Sequence, residues 1–237
     1  MIEAAWLSKR GLREENQDSF LVNHYKKIFV VADGMGGHNA GQIASAIAIK
    51  TAEKFFGDNN DQFADKALLV SHSMAAANKG VIEHTGVYPE TLGMGTTMTF
   101  MHIDDEGLAY IGHVGDSRAY LINTEGIVQL TDDHSYVGEL LRKGGISEED
   151  ALSHPQKNLL MRAIGCAPQL DIDVVTQKVN EGDMILLCTD GLFNTVSDDD
   201  IRHIILQNPV KDAVGILVDT ALESGGTDNV TVVLIKK

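Results

Sequence analysis

Two apolar runs in this chain end in the same way, in an aspartate followed by a glycine. Residues 28–32 (IFVVA) precede Asp33 and Gly34, and residues 184–189 (MILLCT) precede Asp190 and Gly191. Short apolar runs bounded by turn residues indicate strands that are buried on both faces. Each strand would place a carboxylate at its end, where the turning glycine could also present its backbone carbonyl to a ligand. Such oxygen donors suit a hard cation.

Two further aspartates stand at the ends of expected strands. Asp116 lies between two strand-like runs in the sequence GHVGDSR, and Asp228 comes just before the closing run at 230–235. A single Asp-Gly pair is common in turns that bind nothing, because both residues favour turn conformations. Four aspartates in matching contexts favour a shared metal site over turn chemistry.

The order of the predicted elements determines the expected fold. The predicted strands lie at about 4–9, 19–22, 28–32, 96–102, 108–112, 118–122, 128–130, 172–179, 184–188 and 230–235, and the predicted helices at about 43–57, 63–80, 198–206 and 210–222. The four strands between 96 and 130 are expected to form an antiparallel meander. Helix pairs that alternate with groups of antiparallel strands predict an α+β fold, a four-layer α/β/β/α sandwich of two antiparallel sheets flanked by helices. The aspartates should meet at one edge between the sheets.

One domain, residues 1–237, is expected for the chain. Its 43% hydrophobic content can bury a sizeable core, and only 4 prolines and no Ser/Gly-rich tract are present. The segment at about 132–170 interrupts the strand rhythm with two short helical pieces.

The charge of −15 bears on partners and location. A field of this sign repels nucleic acid and anionic lipid, so neither is expected as a partner. The start of the chain lacks a signal peptide, and no apolar run approaches the ~20 residues of a membrane span, which favours the cytoplasm. Cys166 and Cys188 have neither disulfide-motif nor zinc-site spacing and are expected to be reduced core thiols.

Seven segments together carry a resemblance to a known family. They are residues 13–18 (REENQD), 31–38 (VADGMGGH), 95–97 (GTT), 114–118 (VGDSR), 133–135 (DHS), 188–192 (CTDGL) and 226–231 (GTDNVT). In this order and spacing they resemble the metal-dependent Ser/Thr protein phosphatases of type 2C, the PPM family, in its compact bacterial branch. The resemblance runs nearly end to end and implies the same four-layer sandwich. It also implies that the segment at about 132–170 is the family's variable flap. The hypothesis is that this flap gates access and selects substrates, and the alternative is that it is a rigid structural excursion.

Carried over by position, the resemblance implies a binuclear metal site. Asp33 would bridge two divalent cations, with the Gly34 carbonyl on one ion and Asp190 and Asp228 on the other. Manganese or magnesium fits an all-oxygen set of ligands. A hydroxide that bridges the metals would attack phosphorus, and no covalent phospho-enzyme would be needed.

The remaining implied roles belong to four residues. Asp18 would act mainly through metal-bound water, and Asp116 would hold a third, weaker ion. Arg13 resembles the family's phosphate-binding arginine, whose planar fork suits two phosphoryl oxygens. The eukaryotic relatives have a histidine where this chain has Met35, so the general acid is open.

His38 is the candidate general acid, directly or through water. The alternative is that it is simply a polar residue at a helix start. Arg118 and Arg162 are expected to be solvated or paired with carboxylates. The run Asp198–Asp200 follows Ser197 and is expected to lie at a helix N-terminus, without a metal.

The leading hypothesis is therefore a cytoplasmic bacterial phosphatase that removes phosphate from Ser or Thr and opposes a Ser/Thr kinase, with a monomer as the default state. One rival is a phosphatase dedicated to a phosphorylated regulator of the anti-anti-sigma type. A second rival is a pseudophosphatase that only binds phosphoproteins, which the intact carboxylates argue against. A third is an unrelated metal-dependent phosphodiesterase.

Overall fold

A computed structural model describes residues 2–37, 40–147, 150–151 and 154–237. In these residues the strands are β1 (Glu3–Lys9), β2 (Asp18–Asn23), β3 (Ile28–Met35), β4 (Gly95–Thr96), β5 (Met98–Ile103), β6 (Leu108–Val114), β7 (Arg118–Ile122), β8 (Ile127–Gln129), β9 (Asp173–Lys178), β10 (Met184–Cys188) and β11 (Val230–Lys236). The helices are α1 (Ala40–Asn59), α2 (Lys66–Val87), α3 (Tyr136–Arg142), α4 (Asp190–Phe193), α5 (Asp198–Gln207) and α6 (Val210–Glu223). A 3-10 turn spans Pro89–Thr91.

These strands form two antiparallel sheets. The first has the order β1-β11-β10-β7-β8, and the second has the order β2-β3-β5-β6-β9 with β4 paired to β3. The two ends of the chain lie side by side, since β1 pairs with β11 from Glu3 opposite Lys236 to Lys9 opposite Val230.

The central strands are buried on both faces, which explains their uninterrupted apolar runs. In β3, Ile28 and Val30 share a core with residues of α1 and α2. Phe29 and Val31, which point the other way, belong to the core between the sheets. Strand β10 divides in the same way between that inner core and a third core with α5 and α6. The predicted α/β/β/α sandwich is confirmed.

The helix ends also follow local rules. The Ser197 hydroxyl accepts a hydrogen bond from the Asp200 N–H at 3.2 Å, so the acidic run lies in the first turn of α5, as predicted. No helix in the described part of the chain is both long and apolar enough to cross a membrane.

The predicted meander is wrong. Strands β5 and β6 pair in the second sheet, but β7 and β8 belong to the first, and β6 pairs with β9 instead. The chain changes sheets at residues 115–117, where Gly115 has a φ of +110° and an added Cβ would lie 2.5 Å from Thr97 Cγ2. Turn residues between two strands show that a turn occurs, but not that both strands join the same sheet.

Two smaller predictions also need correction. Cys188 is buried, as predicted, but Cys166 is exposed, and both are free thiols. Of the two helical pieces predicted at 132–170, the first is α3, whereas the second falls partly on residues outside the described ones.

Candidate active site

A cleft of about 590 Å³ opens where strand ends of the two sheets meet. Six of the eight predicted site residues line it: Arg13, Asp33, Gly34, Asp116, Asp190 and Asp228. Asp18 is buried and is the direct cross-strand partner of Asp33 in the register of β2 and β3. His38 lies outside the described residues. Segments spread over the whole chain therefore converge here, as the sequence predicted.

Asp33 does not end its strand, because β3 continues to Met35 and pairs there with β4. The Asp33 N–H donates to Thr97 Oγ1, and Thr96 Oγ1 donates to the Asp33 carbonyl, both at 2.8 Å. Gly34 is required by packing, since an added Cβ would lie 2.0 Å from the Gly41 carbonyl oxygen in α1. The predicted glycine turn is wrong here.

Asp190 is the first residue of the single turn α4. Its Oδ2 accepts from Asn194 Nδ2 at 3.0 Å, and its Oδ1 is buried with no hydrogen-bond partner among the described residues. An added Cβ on Gly191 would lie 2.0 Å from the Asn229 carbonyl oxygen. This glycine, too, serves close packing, here between α4 and the start of β11.

Asp18 is held by two threonine hydroxyls from the other sheet. Thr189 and Thr231 donate to Asp18 Oδ2 at 2.9 Å and 2.6 Å, while Asp18 Oδ1 has no partner among the described residues. No role was predicted for either threonine. Their positions, one residue before Asp190 and three after Asp228, were the available signal.

Asp228 is paired with Arg13. The Arg13 Nε and one terminal nitrogen donate to the two carboxylate oxygens at 2.9 Å and 2.7 Å. Asn229 fixes the loop that carries Arg13, because its Nδ2 donates to the carbonyls of Arg10 and Glu15 at 2.8 Å and 2.9 Å. Asn229 was also missed, although it lies within a recognised segment.

Asp116 follows the turn at Gly115, which two buried histidines support. The His134 N–H donates to the Gly115 carbonyl at 2.7 Å, and His113 Nε2 lies 3.0 Å from the same oxygen. The Gly115 N–H donates to His134 Nδ1 at 3.2 Å, and His134 Nε2 lies 3.0 Å from Asp173. Both histidines hold the backbone that presents Asp116.

The collected carboxylates raise one another's pKa. Burial first, and then neighbouring carboxylates, raises the pKa of Asp18 to about 7, of Asp190 to about 6 and of Asp116 to about 8. Burial likewise raises the pKa of Asp33 well above its ordinary value, and the charge of Asp18 adds to it. The cluster is therefore a region that divalent cations would stabilise.

The chemical type of the available donor atoms, oxygen, fits hard cations. The buried, unpartnered oxygens of Asp18 and Asp190 are acceptors that a cation would satisfy, and the cleft lining offers oxygens without cysteine or histidine among the described residues. Within those residues, no three His, Cys, Asp or Glu side chains already converge on one ion position. The pairing of Asp228 with Arg13 contributes to this, because it occupies both carboxylate oxygens.

The flap reaches the cleft through Asn158 and Leu160. Arg118 of β7 and Arg162 of the flap are paired with carboxylates, one of the two roles expected for them. Arg118 donates twice to Asp133, at 2.9 Å and 2.7 Å, and Arg162 donates to Asp173 at 2.8 Å.

Comparisons with known proteins agree with this architecture. The family model described as Protein phosphatase 2C matches residues 8–219. Protein phosphatase PhpP of Streptococcus pneumoniae is 37% identical over 241 residues, which are 99% of this chain and 97% of PhpP. The crystal structure of the Mycobacterium tuberculosis serine/threonine phosphatase PstP/Ppp matches with a TM-score of 0.91 and 34% identity over 99% of this chain and 98% of that one.

A further structure, the catalytic domain of PstP in complex with two manganese ions, matches with a TM-score of 0.89 and 33% identity over 99% of this chain and 97% of that one. The chain belongs to the protein phosphatase 2C family. The family expected from the seven segments is confirmed, and with it the enzyme class, protein-serine/threonine phosphatase.

Proposed function

We propose that this chain is a metal-dependent phosphatase that hydrolyses phosphoserine and phosphothreonine in proteins and opposes a partner Ser/Thr kinase. The observation that carries the proposal is the group of buried carboxylates with raised pKa values in a cleft that also holds Arg13. Membership of the family supports the reaction, and the two manganese ions of the PstP structure support Mn²⁺ or Mg²⁺ as the cofactor.

The proposed ligands of two core ions and a third, weaker ion are Asp18, Asp33, Gly34 through its carbonyl, Asp116, Asp190 and Asp228. When bound, two divalent ions lower the pKa of a shared water and neutralise charge on the phosphoryl oxygens. The chain's own part is to keep these oxygens in place. Thr189 and Thr231 orient Asp18 through their hydroxyls, and Thr96 and Thr97 hold the backbone of Asp33.

Arg13 is the proposed phosphate-binding residue. Its guanidinium already gives two parallel hydrogen bonds to a planar anion, Asp228, and two phosphoryl oxygens are an equivalent partner. The departing serine or threonine oxygen needs a proton. His38 remains the proposed donor, directly or through water.

We also propose that residues 1–237 form one catalytic domain with a flap at about 132–170. The pairing of β1 with β11 and the flap residues in the cleft lining support this division. A monomer in the cytoplasm is the proposed state, and the charge of −15 supports a partner that is neither nucleic acid nor a membrane surface.

The test is hydrolysis of p-nitrophenyl phosphate and of a phosphothreonine peptide with Mn²⁺, with EDTA and with Asp190→Asn. We expect turnover of both substrates with Mn²⁺ and its collapse in EDTA and in the variant. No turnover by the folded, Mn²⁺-loaded protein would overturn the proposal in favour of a phosphoprotein-binding pseudoenzyme. Faster turnover of bis-p-nitrophenyl phosphate than of the monoester would point to a phosphodiesterase.

A second assay addresses the range of substrates. An intact phosphorylated regulator of the anti-anti-sigma type is compared with a panel of phosphopeptides. Rapid turnover of the regulator alone would replace the general phosphatase with a dedicated one.

A further inference from the structure

The loop that carries Arg13 also places two glutamates at the cleft. Glu14 and Glu15 line the cleft, and so do Asn158 and Leu160 of the flap. Glu14 is exposed to solvent. The cleft has the character of a ligand site independently of these glutamates, because the Asp190 Oδ1 in its lining is buried and lacks a hydrogen-bond partner among the described residues.

Hydrogen bonds hold the backbone of the loop that carries these glutamates. Arg10 donates to the Glu14 carbonyl at 2.8 Å, and Asn229 donates to the Glu15 carbonyl at 2.9 Å. The Leu12 N–H donates to the Thr227 carbonyl at 3.2 Å. Because the backbone of the loop is held at three points, little backbone conformational entropy is lost when a partner binds there.

Glu14 differs from the other acidic residues of the cleft. Asp33, Asp190 and Asp228 belong to the group that metal ions and Arg13 would neutralise. No ion pair of the Glu14 side chain is present among the described residues, so its charge persists beside the phosphate position. The chain as a whole carries −15, which adds to a negative field around the cleft.

We propose that Glu14 makes this cleft select phosphorylated segments that carry lysine or arginine next to the phosphorylated residue. The inference rests on the proposed phosphatase function and names the substrate class of that site. A basic neighbour is attracted to Glu14 while the phosphate is held by Arg13, and an acidic neighbour is repelled by it. Specificity of this kind arises as much from the rejected acidic segments as from the accepted basic ones.

The test uses three phosphothreonine peptides of equal length whose neighbours on both sides are lysine, alanine or glutamate. Each kcat/KM is divided by that of the same protein on p-nitrophenyl phosphate, so that differences in folding or metal loading cancel. The proteins are the wild type, Glu14→Gln, Glu14→Lys and a matched control, Glu125→Gln, which removes the same charge from the exposed turn between β7 and β8.

We expect the wild type to prefer the lysine peptide over the glutamate peptide. Exposed charge pairs are weak, so Glu14→Gln should reduce this preference about two- to fivefold, and Glu14→Lys should reduce it further. The control should keep the wild-type preference. Raising the salt from about 0.05 M to about 0.5 M should shrink the preference, because added ions screen exposed charges.

The outcomes separate this inference from the proposed function. No turnover of any substrate with Mn²⁺ would refute the phosphatase itself. Turnover with equal efficiency on the three peptides, or a preference unchanged in both Glu14 variants, would overturn the inference alone. An equal loss of preference in Glu125→Gln would do the same, because it would assign the effect to net charge and not to the loop.

Discussion

Asp33–Gly34 and Asp190–Gly191 have the same local sequence but different local structures. Asp33 stays within an extended strand and faces Asp18 across the sheet, whereas Asp190 begins a helical turn and accepts a hydrogen bond from Asn194. What they share is the glycine, whose missing Cβ leaves room for a backbone carbonyl oxygen of another segment, since a Cβ added at either glycine would lie 2.0 Å from that oxygen. Both sites require close backbone packing next to the aspartate, and this requirement is met in a strand at Gly34 and in a helical turn at Gly191.

The pKa values of both carboxylates are raised, but the neighbouring groups act differently on the two. Burial dominates at both, but at Asp33 the next contributions come from four other carboxylates and all raise its pKa. At Asp190 the hydrogen bond from Asn194 and the charge of Arg13 counteract the rise, and its pKa reaches about 6. We therefore expect Asp33 to depend more on bound cations than Asp190 does.

The largest expected effect is a difference between Asp33→Asn and Asp190→Asn. With saturating Mn²⁺, we expect kcat to fall at least about 10³-fold in Asp33→Asn and about 10²-fold in Asp190→Asn, since the first removes the more central charge. Without metal at pH 8, both variants should melt above the wild type, Asp33→Asn more so, because each removes a carboxyl group whose ionised form the folded state disfavours. Kinetics and thermal unfolding in EDTA measure the two effects.

The exposed Asp171→Asn is the matched control for that pair. It removes the same charge outside the cleft and should leave both the rate and the metal-free melting temperature near the wild-type values. If Asp33→Asn lowers the metal-free melting temperature, the carboxylate stabilises the fold, and the comparison fails.

The two glycines should be equally intolerant of a side chain. Alanine at Gly34 or Gly191 forces two backbones apart, so each should lower the free energy of unfolding by about 3 kcal/mol or more. Gly215→Ala in α6 is the control, because an added Cβ there meets no atom of the described residues within 4 Å. It should stabilise the protein by about 0.5–1 kcal/mol. Urea unfolding distinguishes the three, and a tolerated alanine at either site would restore the glycine-turn explanation.

The fold was predictable because the strongest sequence signals are local. The sequences of β3 and β10 are apolar throughout, which predicts burial, because alternate residues of each strand pack into two different cores. The change of sheet at Gly115 was not predictable, since a hairpin and a crossover use the same turn residues and only the distant partner, β9 or β7, distinguishes them.

The carboxylates of the candidate site were predictable from the sequence, but the residues that hold them in place were not. The carboxylates were found through their strand-end pattern and the resemblance. In contrast, Thr189 and Thr231 reach from one sheet to Asp18 in the other, and Asn229 binds the loop between β1 and β2. Each of these partners is about 170–220 positions away in the sequence. A threonine that donates to a buried carboxylate looks, in the sequence, like any other β-branched residue in a strand. Only the way in which the two sheets pack against each other shows which threonines face Asp18.

A smaller effect concerns the pH dependence of the metal-free protein. Folding raises the pKa of Asp18 to about 7 and of Asp116 to about 8, compared with about 4 for an unfolded aspartate. The folded state thus binds more protons than the unfolded state, and its stability should fall as the pH rises from about 6.5 to about 8.5. Below that range the neutral His113, whose burial lowers its pKa to about 4, has the opposite effect.

Thermal unfolding in EDTA across this pH range tests whether the stability falls as the pH rises. A parallel series with Mn²⁺ measures how much the metal stabilises the protein at each pH. Bound cations should remove the repulsion, so the stabilisation by Mn²⁺ should grow with pH. A metal-free melting temperature that rises between pH 6.5 and pH 8.5 would contradict the raised carboxyl pKa values.

The smallest effect is expected from the hydrogen bond that sets Asp190 apart from Asp33. Asn194→Ala removes the donor that orients Asp190 Oδ2, and the loss of such a supporting contact weakens metal binding by roughly tenfold. The Mn²⁺ dissociation constant, from calorimetry and from the metal dependence of the rate, should rise accordingly, while kcat at saturating Mn²⁺ changes little. Thr195→Ala is the control just after the same turn, because among the described residues its hydroxyl donates to backbone carbonyls alone. If both variants bind Mn²⁺ as the wild type does, Asn194 does not explain the difference between the two aspartates, and the attraction of Arg13 must account for it.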